Sequence, residues 1–152
     1  MSDHQARERD FKPAARRRAR RFVLQGLYEH VLTGHSAVDI EARCRATNDL
    51  RRTDADYMHE LLSGVVRERV VLETDVEPLL DRPWSQLTPV EHAALLIGCY
   101  ELRFRLDVPR EVVISEVVDL TVYFGTSDGH RYVNAILDRL ARQLRPHEGR
   151  NG

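Results

Sequence analysis

The sequence lacks the motifs by which many enzymes bind phosphates or metals. Its eight glycines form neither a phosphate-binding glycine-rich loop nor a dinucleotide-binding fingerprint. No CxxC or HExxH pair occurs, and the seven histidines are scattered along the chain. No elbow motif marks a serine nucleophile. These absences give little sign of an enzyme, of a catalytic residue or of a metal site, and no sign of a bound cofactor.

Cysteine and long apolar runs are also scarce. The two cysteines, Cys44 and Cys99, lie in half-apolar contexts with helical spacing, which indicates reduced core residues instead of a disulfide or a metal pair. Residues 1–11 lack the apolar core of a signal peptide, and no apolar run approaches the ~18 residues of a membrane span. We expect a cytoplasmic protein that does not bind a membrane.

Lysine is nearly absent, since Lys12 is the only one, and the positive charge is placed unevenly. The formal net charge is -1, but residues 1–21 carry +5 and the remainder carries -6. A basic end on an acidic body is typical of a protein that faces nucleic acid at one end and leaves another surface for protein partners. With 42% hydrophobic residues among 152, the chain can form one compact domain or two small subdomains.

The basic end continues into an amphipathic helix, predicted over residues 12–32. Pro13 suits a first helical position, and the alanines and arginines that follow are good helix formers. Leu24, Leu27 and Val31 recur at helical spacing and give an apolar stripe. Arginine forks match phosphate geometry, which favours a polyanionic partner. The alternative is a solvated, charge-rich helix end that binds nothing.

Further helices are predicted over residues 37–47, 53–77, 88–104, 111–124 and 128–145. Thr88 and Glu91 form a capping box around Pro89 and open a helix that is apolar nearly all round, as expected of a core helix. Thr53 and Asp128 are predicted helix caps. The many β-branched residues of 111–124 leave a strand open as an alternative. The pattern indicates an all-α fold of six or seven helices, with a disordered tail at 1–11 and a second tail at 147–152.

A second basic–aromatic cluster follows near the C-terminal end of the chain. It comprises Tyr123, Phe124, His130, Arg131, Tyr132 and Asn134. Aromatic rings interleaved with cations can hold unstacked RNA bases, at ~1–3 kcal/mol per base. The alternative is that Phe124 and Tyr132 are core residues at a helix–loop–helix corner. Trp84, the only tryptophan, is expected to be a buried plug between subdomains.

Taken in order, these segments resemble the NusB family of bacterial transcription antitermination factors. The resemblance is carried by KPAARRRAR from Lys12, QGLY from Gln25, LLSGV from Leu61, VE at 90–91, YEL from Tyr100, DVP from Asp107, VISEV from Val113, FG at 124–125 and HRYVNAILD from His130. It covers residues 12–146, nearly the whole chain. No one segment is decisive, but the ordered set is specific.

The resemblance implies one domain over 12–146 made of two small packed bundles, over about 12–80 and 88–146. It implies a non-enzymatic factor that binds boxA-type single-stranded RNA together with the ribosomal protein NusE. Such a factor acts in the elongation complex of RNA polymerase and other Nus factors and promotes read-through in rRNA operons. The RNA-facing positions implied are Lys12, Arg16, Arg17, Arg20, Tyr28, Arg131 and Tyr132. Glu91 is implied to face NusE, although it also completes the capping box.

The chain departs from the family pattern at several positions. Leu96 stands where arginine is common and would remove one cation, while Ser115 and Ala135 stand where asparagine and glycine are usual. Tyr132 and Arg131 replace phenylalanine and lysine but keep the stacking and the charge. Some family members form homodimers that bury the RNA-binding helix, so a homodimer is also open. Two other functions stay open: a detached RNA-binding module accessory to rRNA methylation, and a purely protein-binding helical adaptor.

Overall fold

A computed structural model describes the backbone of residues 3–125 and 128–148 and the side chains of residues 12–125 and 128–148. Its seven α-helices are α1 (Asp3–Thr33), α2 (Ala37–Thr47), α3 (Ala55–Arg67), α4 (Arg69–Val76), α5 (Pro89–Phe104), α6 (Arg110–Tyr123) and α7 (Gly129–Leu144). Two short 3-10 turns, Glu77–Leu79 and Trp84–Gln86, connect α4 to α5. The described residues contain no strand, so the all-α prediction is confirmed and the strand alternative for α6 is wrong.

The central element is α5, which packs against α1, α3, α4, α6 and α7. Every residue from Glu91 to Leu102 is buried, as predicted for a helix that is apolar nearly all round. Leu96 is fully buried among them. The leucine at this position therefore belongs to the core, and its effect on RNA affinity stays a prediction.

One continuous core joins the two halves of the chain. Leu27 of α1, Leu61 of α3, Leu95 of α5 and Leu137 of α7 all belong to it. The helix α2 lies close against α1 because Gly26 has no side chain, and a Cβ atom there would lie 2.9 Å from Cγ2 of Ile40. The boundaries of the two predicted bundles stay a prediction, because α1 and α5 contribute to a shared core.

The observed helix boundaries differ from the predicted ones at two places. The helix α1 begins at Asp3 instead of Lys12, because the good helix formers before Pro13 continue it toward the N-terminus. Disorder of residues 1–11 in solution stays a prediction. The single helix predicted over 53–77 is two helices, because the chain leaves helical geometry at Glu68, with φ -96° and ψ 12°.

The caps confirm some predictions and correct others. Thr88 and Glu91 form both hydrogen bonds of the capping box, and Gly34 ends α1 with φ +76°. The cap of α3 is Asp54, which accepts from the Tyr57 N–H at 3.0 Å, and not Thr53. Asp128 precedes α7 but forms no side-chain capping bond. None of the described helices combines the length and the apolarity that crossing a membrane requires.

Candidate nucleic-acid interface

The arginines of α1 fall into a paired group and an unpaired group. Arg20 belongs to the first and is only 3% exposed. Its Nε and Nη2 donate to the two carboxylate oxygens of Glu101, at 2.9 and 2.7 Å. The hydroxyl of Tyr57 donates to the same carboxylate. Burial would lower the pKa of Arg20, but the hydrogen bonds and charge of Glu101 outweigh it and raise that pKa. Arg20 therefore joins α1 to α5, and its burial leaves little of the guanidinium exposed to a ligand.

Arg17 and Arg16 are paired nearer the surface. Arg17 donates from Nε and Nη2 to Glu116 of α6, at 3.0 and 2.8 Å, and these hydrogen bonds raise its pKa. The Arg16 Nε lies 3.5 Å from Oδ2 of Asp54, and its guanidinium lies 4.3 Å from the ring centre of Tyr57. Arg17 is thus paired by Glu116, whereas Arg16 lies beside Asp54 and its buried Nε has no hydrogen-bond partner among the described residues.

The unpaired group lies on a neighbouring face of the same helix. Arg18, Arg21, Gln25 and Tyr28 follow one another at spacings of three and four, which places them on one face. Among the described side chains, no carboxylate lies within ion-pair distance of Arg18 or Arg21, in contrast to Arg16, Arg17 and Arg20. Arg18 instead donates to the backbone carbonyl of Arg52 at 3.2 Å. These two cations remain available to a phosphate.

A cavity of about 330 Å³ opens beside this face, between α1, the loop before α3 and the end of α6. We call it the α1–α6 cavity. It is lined by Arg18, Arg21, Phe22, Gln25, Asp49, Arg52, Thr53, Tyr123 and Phe124. Its one lining carboxylate, Asp49, accepts from the side chain of Arg51 at 2.7–3.1 Å. The cavity is therefore positively charged.

Aromatic rings form one wall of the α1–α6 cavity. Tyr123 is 60% exposed, and the guanidinium of Arg21 lies 4.1 Å from its ring centre. Phe124 meets Tyr123 edge to face at 5.0 Å and packs against the core on its other side. The structure thus joins the basic helix to the first part of the second basic–aromatic cluster, a connection that sequence spacing could not supply.

The other part of that cluster lies at the start of α7. Arg131 is exposed, and Tyr132 is half-buried at the edge of the core. The Tyr132 hydroxyl donates to Oδ1 of Asp81 at 2.9 Å, and Arg82 lies 4.5 Å from its ring centre. Hydrogen bonds from Arg82 and then from Tyr132 lower the pKa of Asp81 to about 2. Tyr132 therefore combines a core contact with a polar outer end.

The remaining sequence-predicted site residues lie apart from one another. Lys12 is exposed at the basic end of α1, and Tyr28 is 42% exposed two turns beyond Arg21. Glu91 is only 8% exposed, and its carboxylate accepts from the Thr88 N–H at 2.9 Å. Its structural part in the capping box is therefore present, and its contact with a partner stays a prediction.

Trp84 stacks on His92 with ring centres 4.4 Å apart and packs against the core. The Nε2 atom of His92 lies 3.0 Å from Oε1 of Glu73, a residue of α4. The stacked pair of Trp84 and His92 is thereby linked to α4. Trp84 is half-buried instead of buried, and its Nε1 has no hydrogen-bond partner among the described residues. Its role as a plug between subdomains stays a prediction. Among residues 12–125 and 128–148, no group of His, Cys, Asp or Glu is placed to hold a metal ion.

Sequence reasoning missed two structural arginines. Arg20 follows the same helical spacing as Leu24 and Leu27, which could have placed it on the core face. Arg145 is 6% exposed and donates to four backbone carbonyls, those of Glu101, Leu102, Arg105 and Val108. Arg145 thereby supplies hydrogen-bond donors to the carbonyls at the C-terminal end of α5. No local pattern in the sequence predicts this role.

An all-helical domain whose first helix presents arginines beside an aromatic-lined, basic cavity has the features typical of nucleic-acid-binding proteins. The family model described as the NusB family matches residues 17–142. The chain belongs to the NusB family. This confirms the family resemblance and agrees with the expectation that the protein is not an enzyme.

Relatives with the same family name cover nearly the whole chain. The transcription antitermination protein NusB of Alcanivorax borkumensis is 47% identical over 133 residues, which are 88% of this chain and 89% of the relative. That of Acinetobacter baylyi is 45% identical over 135 residues, which are 89% of this chain and 91% of the relative.

Two solved structures are similar in fold. T. maritima NusB matches with a TM-score of 0.73 at 26% identity, over 84% of this chain and 90% of that chain. A structure of antitermination factors NusB and NusE in complex with dsRNA matches with a TM-score of 0.75 at 24% identity, over 84% of this chain and 96% of that chain. At 24% identity, the match to the NusB–NusE complex shows a similar fold only.

Proposed function

We propose that this protein is a transcription antitermination factor that binds boxA-type single-stranded RNA together with ribosomal protein NusE. The membership in the NusB family and relatives of 42–47% identity that are named transcription antitermination proteins support the proposal. The observation that carries the RNA contact is the unpaired pair Arg18 and Arg21 beside the α1–α6 cavity. Cations that pair with no acid among the described side chains can replace counterions on phosphates.

The proposed partners follow from the same function. NusE and RNA occur together with NusB in the solved complex of similar fold. The protein would act on nascent transcripts in the cytoplasm, within the elongation complex of RNA polymerase and other Nus factors, and would promote read-through in rRNA operons. The mechanism needs binding and positioning only, with no bond made or broken and no cofactor.

The proposed RNA-facing surface differs in part from the sequence-based set. Lys12, Tyr28, Arg131 and Tyr132 keep an exposed or half-exposed position and stay in it. Arg18, Arg21 and Arg52 join it. Arg16 and Arg17 are secondary contacts, since a phosphate must compete with Asp54 and Glu116 for them. Arg20 leaves the set, because it is buried and two of its donors are bonded to Glu101.

The test is a titration of the purified chain into a labelled single-stranded boxA RNA, a scrambled strand and a boxA duplex, with and without NusE. We expect preference for the single-stranded boxA RNA, tighter binding with NusE and weaker binding at higher salt. Light scattering of the same samples shows whether a homodimer competes with RNA. Binding of NusE without any RNA affinity would contradict the RNA role and leave a protein adaptor. Equal binding to all three RNAs would contradict the sequence-reading role.

A further inference from the structure

The α1–α6 cavity has a composition suited to a single nucleotide. Its volume of about 330 Å³ lies at the lower end of the range typical of small-ligand sites, ~300–1,000 Å³. One wall is aromatic, and three arginines surround the opening. No described acid neutralises Arg18 or Arg21, and the one lining carboxylate is held by Arg51. We infer that this cavity receives one unstacked base of the bound RNA, with Tyr123 as the stacking surface and Arg21 and Arg52 as phosphate contacts.

Tyr123 is held ready for such a contact. It is 60% exposed, so much of the ring is open to a ligand. The guanidinium of Arg21 and the edge of Phe124 fix the ring orientation from two sides. A base can stack on the open part of the ring or on the guanidinium plane. Little side-chain freedom remains to be lost on binding.

The polar groups around the ring suit the rest of a nucleotide. Arg21 and Arg52 line the cavity and carry charges that the phosphates of a nucleotide would meet. Gln25 offers one acceptor and two donors to a base edge. The excess of cations and the accessible ring favour a nucleotide over an acidic peptide, which would use the charges but not the ring. This inference rests on the proposed RNA-binding function and goes beyond it by naming the pocket.

The test combines one aromatic substitution with an abasic scan of the RNA. Tyr123→Leu removes the ring, and Tyr123→Phe keeps it. Phe104→Leu is the matched control, because Phe104 is also exposed, at 43%, but does not line the cavity. Arg21→Gln is compared with Arg139→Gln, an exposed arginine of α7 outside the cavity. Each variant is titrated with boxA RNAs in which one base at a time is missing, and its melting temperature is measured.

We expect Tyr123→Leu to weaken binding roughly 5- to 100-fold, as stacking of one base allows. Tyr123→Phe, Phe104→Leu and Arg139→Gln should stay within about twofold of wild type. One abasic position should weaken binding to the wild type but not to Tyr123→Leu. Equal affinities of Tyr123→Leu and Phe104→Leu would overturn the cavity assignment while the RNA-binding function stands. A loss of NusE binding alone would assign the cavity to the protein partner and also overturn it. No RNA affinity of the wild type would overturn both proposals.

Discussion

Arg20 of α1 and Glu101 of α5 form a two-bond ion pair inside the core, with side chains 3% and 0% exposed. Tyr57 of α3 donates to the same carboxylate, so three helices meet at one buried charge. Removing one partner of such a pair leaves an uncompensated buried charge, which costs far more than the intact pair contributes. This relationship separates the arginines that hold the fold from those that can hold RNA.

Arg20→Gln should lower the free energy of unfolding by about 3–5 kcal/mol, because Glu101 loses its cation. The folded fraction should bind RNA within about twofold of wild type. Urea unfolding followed by circular dichroism measures the first effect. Arg17→Gln is the control, since its half-exposed pair with Glu116 is worth at most about 1 kcal/mol. A stable Arg20→Gln variant that no longer binds RNA would contradict this division of roles.

The structure changes an expectation that the sequence alone supports. From the sequence, replacing Arg16, Arg17 and Arg20 by alanine should weaken RNA binding with little loss of stability. Because Arg20 is buried, the triple variant should instead unfold more easily, and weaker RNA binding by that variant would not show which arginines touch the RNA.

Arg145→Ala should destabilise the protein by about 3 kcal/mol, because the carbonyls that end α5 lose their shared charged donor. The matched control is Arg142→Ala in the last turn of the same helix. Arg142 is 66% exposed and, among the described residues, pairs with Asp138 alone, so its removal should cost less than about 0.5 kcal/mol. Thermal unfolding of both variants tests the difference. Equal melting temperatures would show that the closure of α5 by Arg145 contributes nothing.

Stability should fall as the pH drops below neutral, in part through His92. Burial lowers the pKa of His92 below its ordinary value, although its contact with Glu73 opposes the shift. The unfolded chain therefore binds a proton at a higher pH than the folded chain does. The contribution is fully present above about pH 6.5 and is lost as the pH falls toward the lower folded pKa.

The measurement is urea unfolding of wild type and His92→Gln between pH 7 and about 5, and the stability of the variant should change less. The pKa values of Glu29, Asp81 and Asp107 are held at about 2 by arginine hydrogen bonds, so these carboxylates titrate below this window. Parallel stability curves for the two proteins would contradict the role of His92.

Tyr132→Phe should keep RNA affinity within about twofold, because the ring that would stack on a base remains. Tyr132→Ala should weaken binding roughly 5- to 100-fold. The phenylalanine variant also lacks the hydroxyl that donates to Asp81, so it isolates that bond from the ring. Fluorescence anisotropy with labelled boxA RNA measures both. Equally weakened binding by the two variants would assign the role to the hydroxyl and not to the ring.

Much of the fold follows from local sequence signals. The capping box at Thr88 and the all-round apolar pattern after it place α5 in the core, and Gly34 marks the end of α1. The break at Glu68 was missed because no proline or glycine signals it. Both α3 and α4 pack on α5. The break between them depends on this packing, which cannot be predicted from the spacing of apolar residues along the chain.

The sequence alone predicts the two parts of the candidate site separately and does not predict that they meet. The sequence indicated a basic helix and an aromatic cluster, but it could not show which arginines meet acids. Glu116 and Glu101 lie far along the chain from Arg17 and Arg20, so their pairing depends on tertiary packing. The same packing brings Tyr123 to Arg21 and leaves Arg18 and Arg21 unpaired among the described residues.

The central claim is that the unpaired arginines of α1 hold the RNA, and the salt dependence of boxA binding tests it most directly. Arg18→Gln with Arg21→Gln removes the unpaired cations. Arg17→Gln with Glu116→Gln removes a paired cation together with its acid and leaves the net charge unchanged. We predict that the first double variant makes the slope of log affinity against log salt shallower by about 0.7 for each phosphate that is no longer neutralised. The second variant, which removes only a secondary contact, should change the slope by less. The reverse result would contradict the claim.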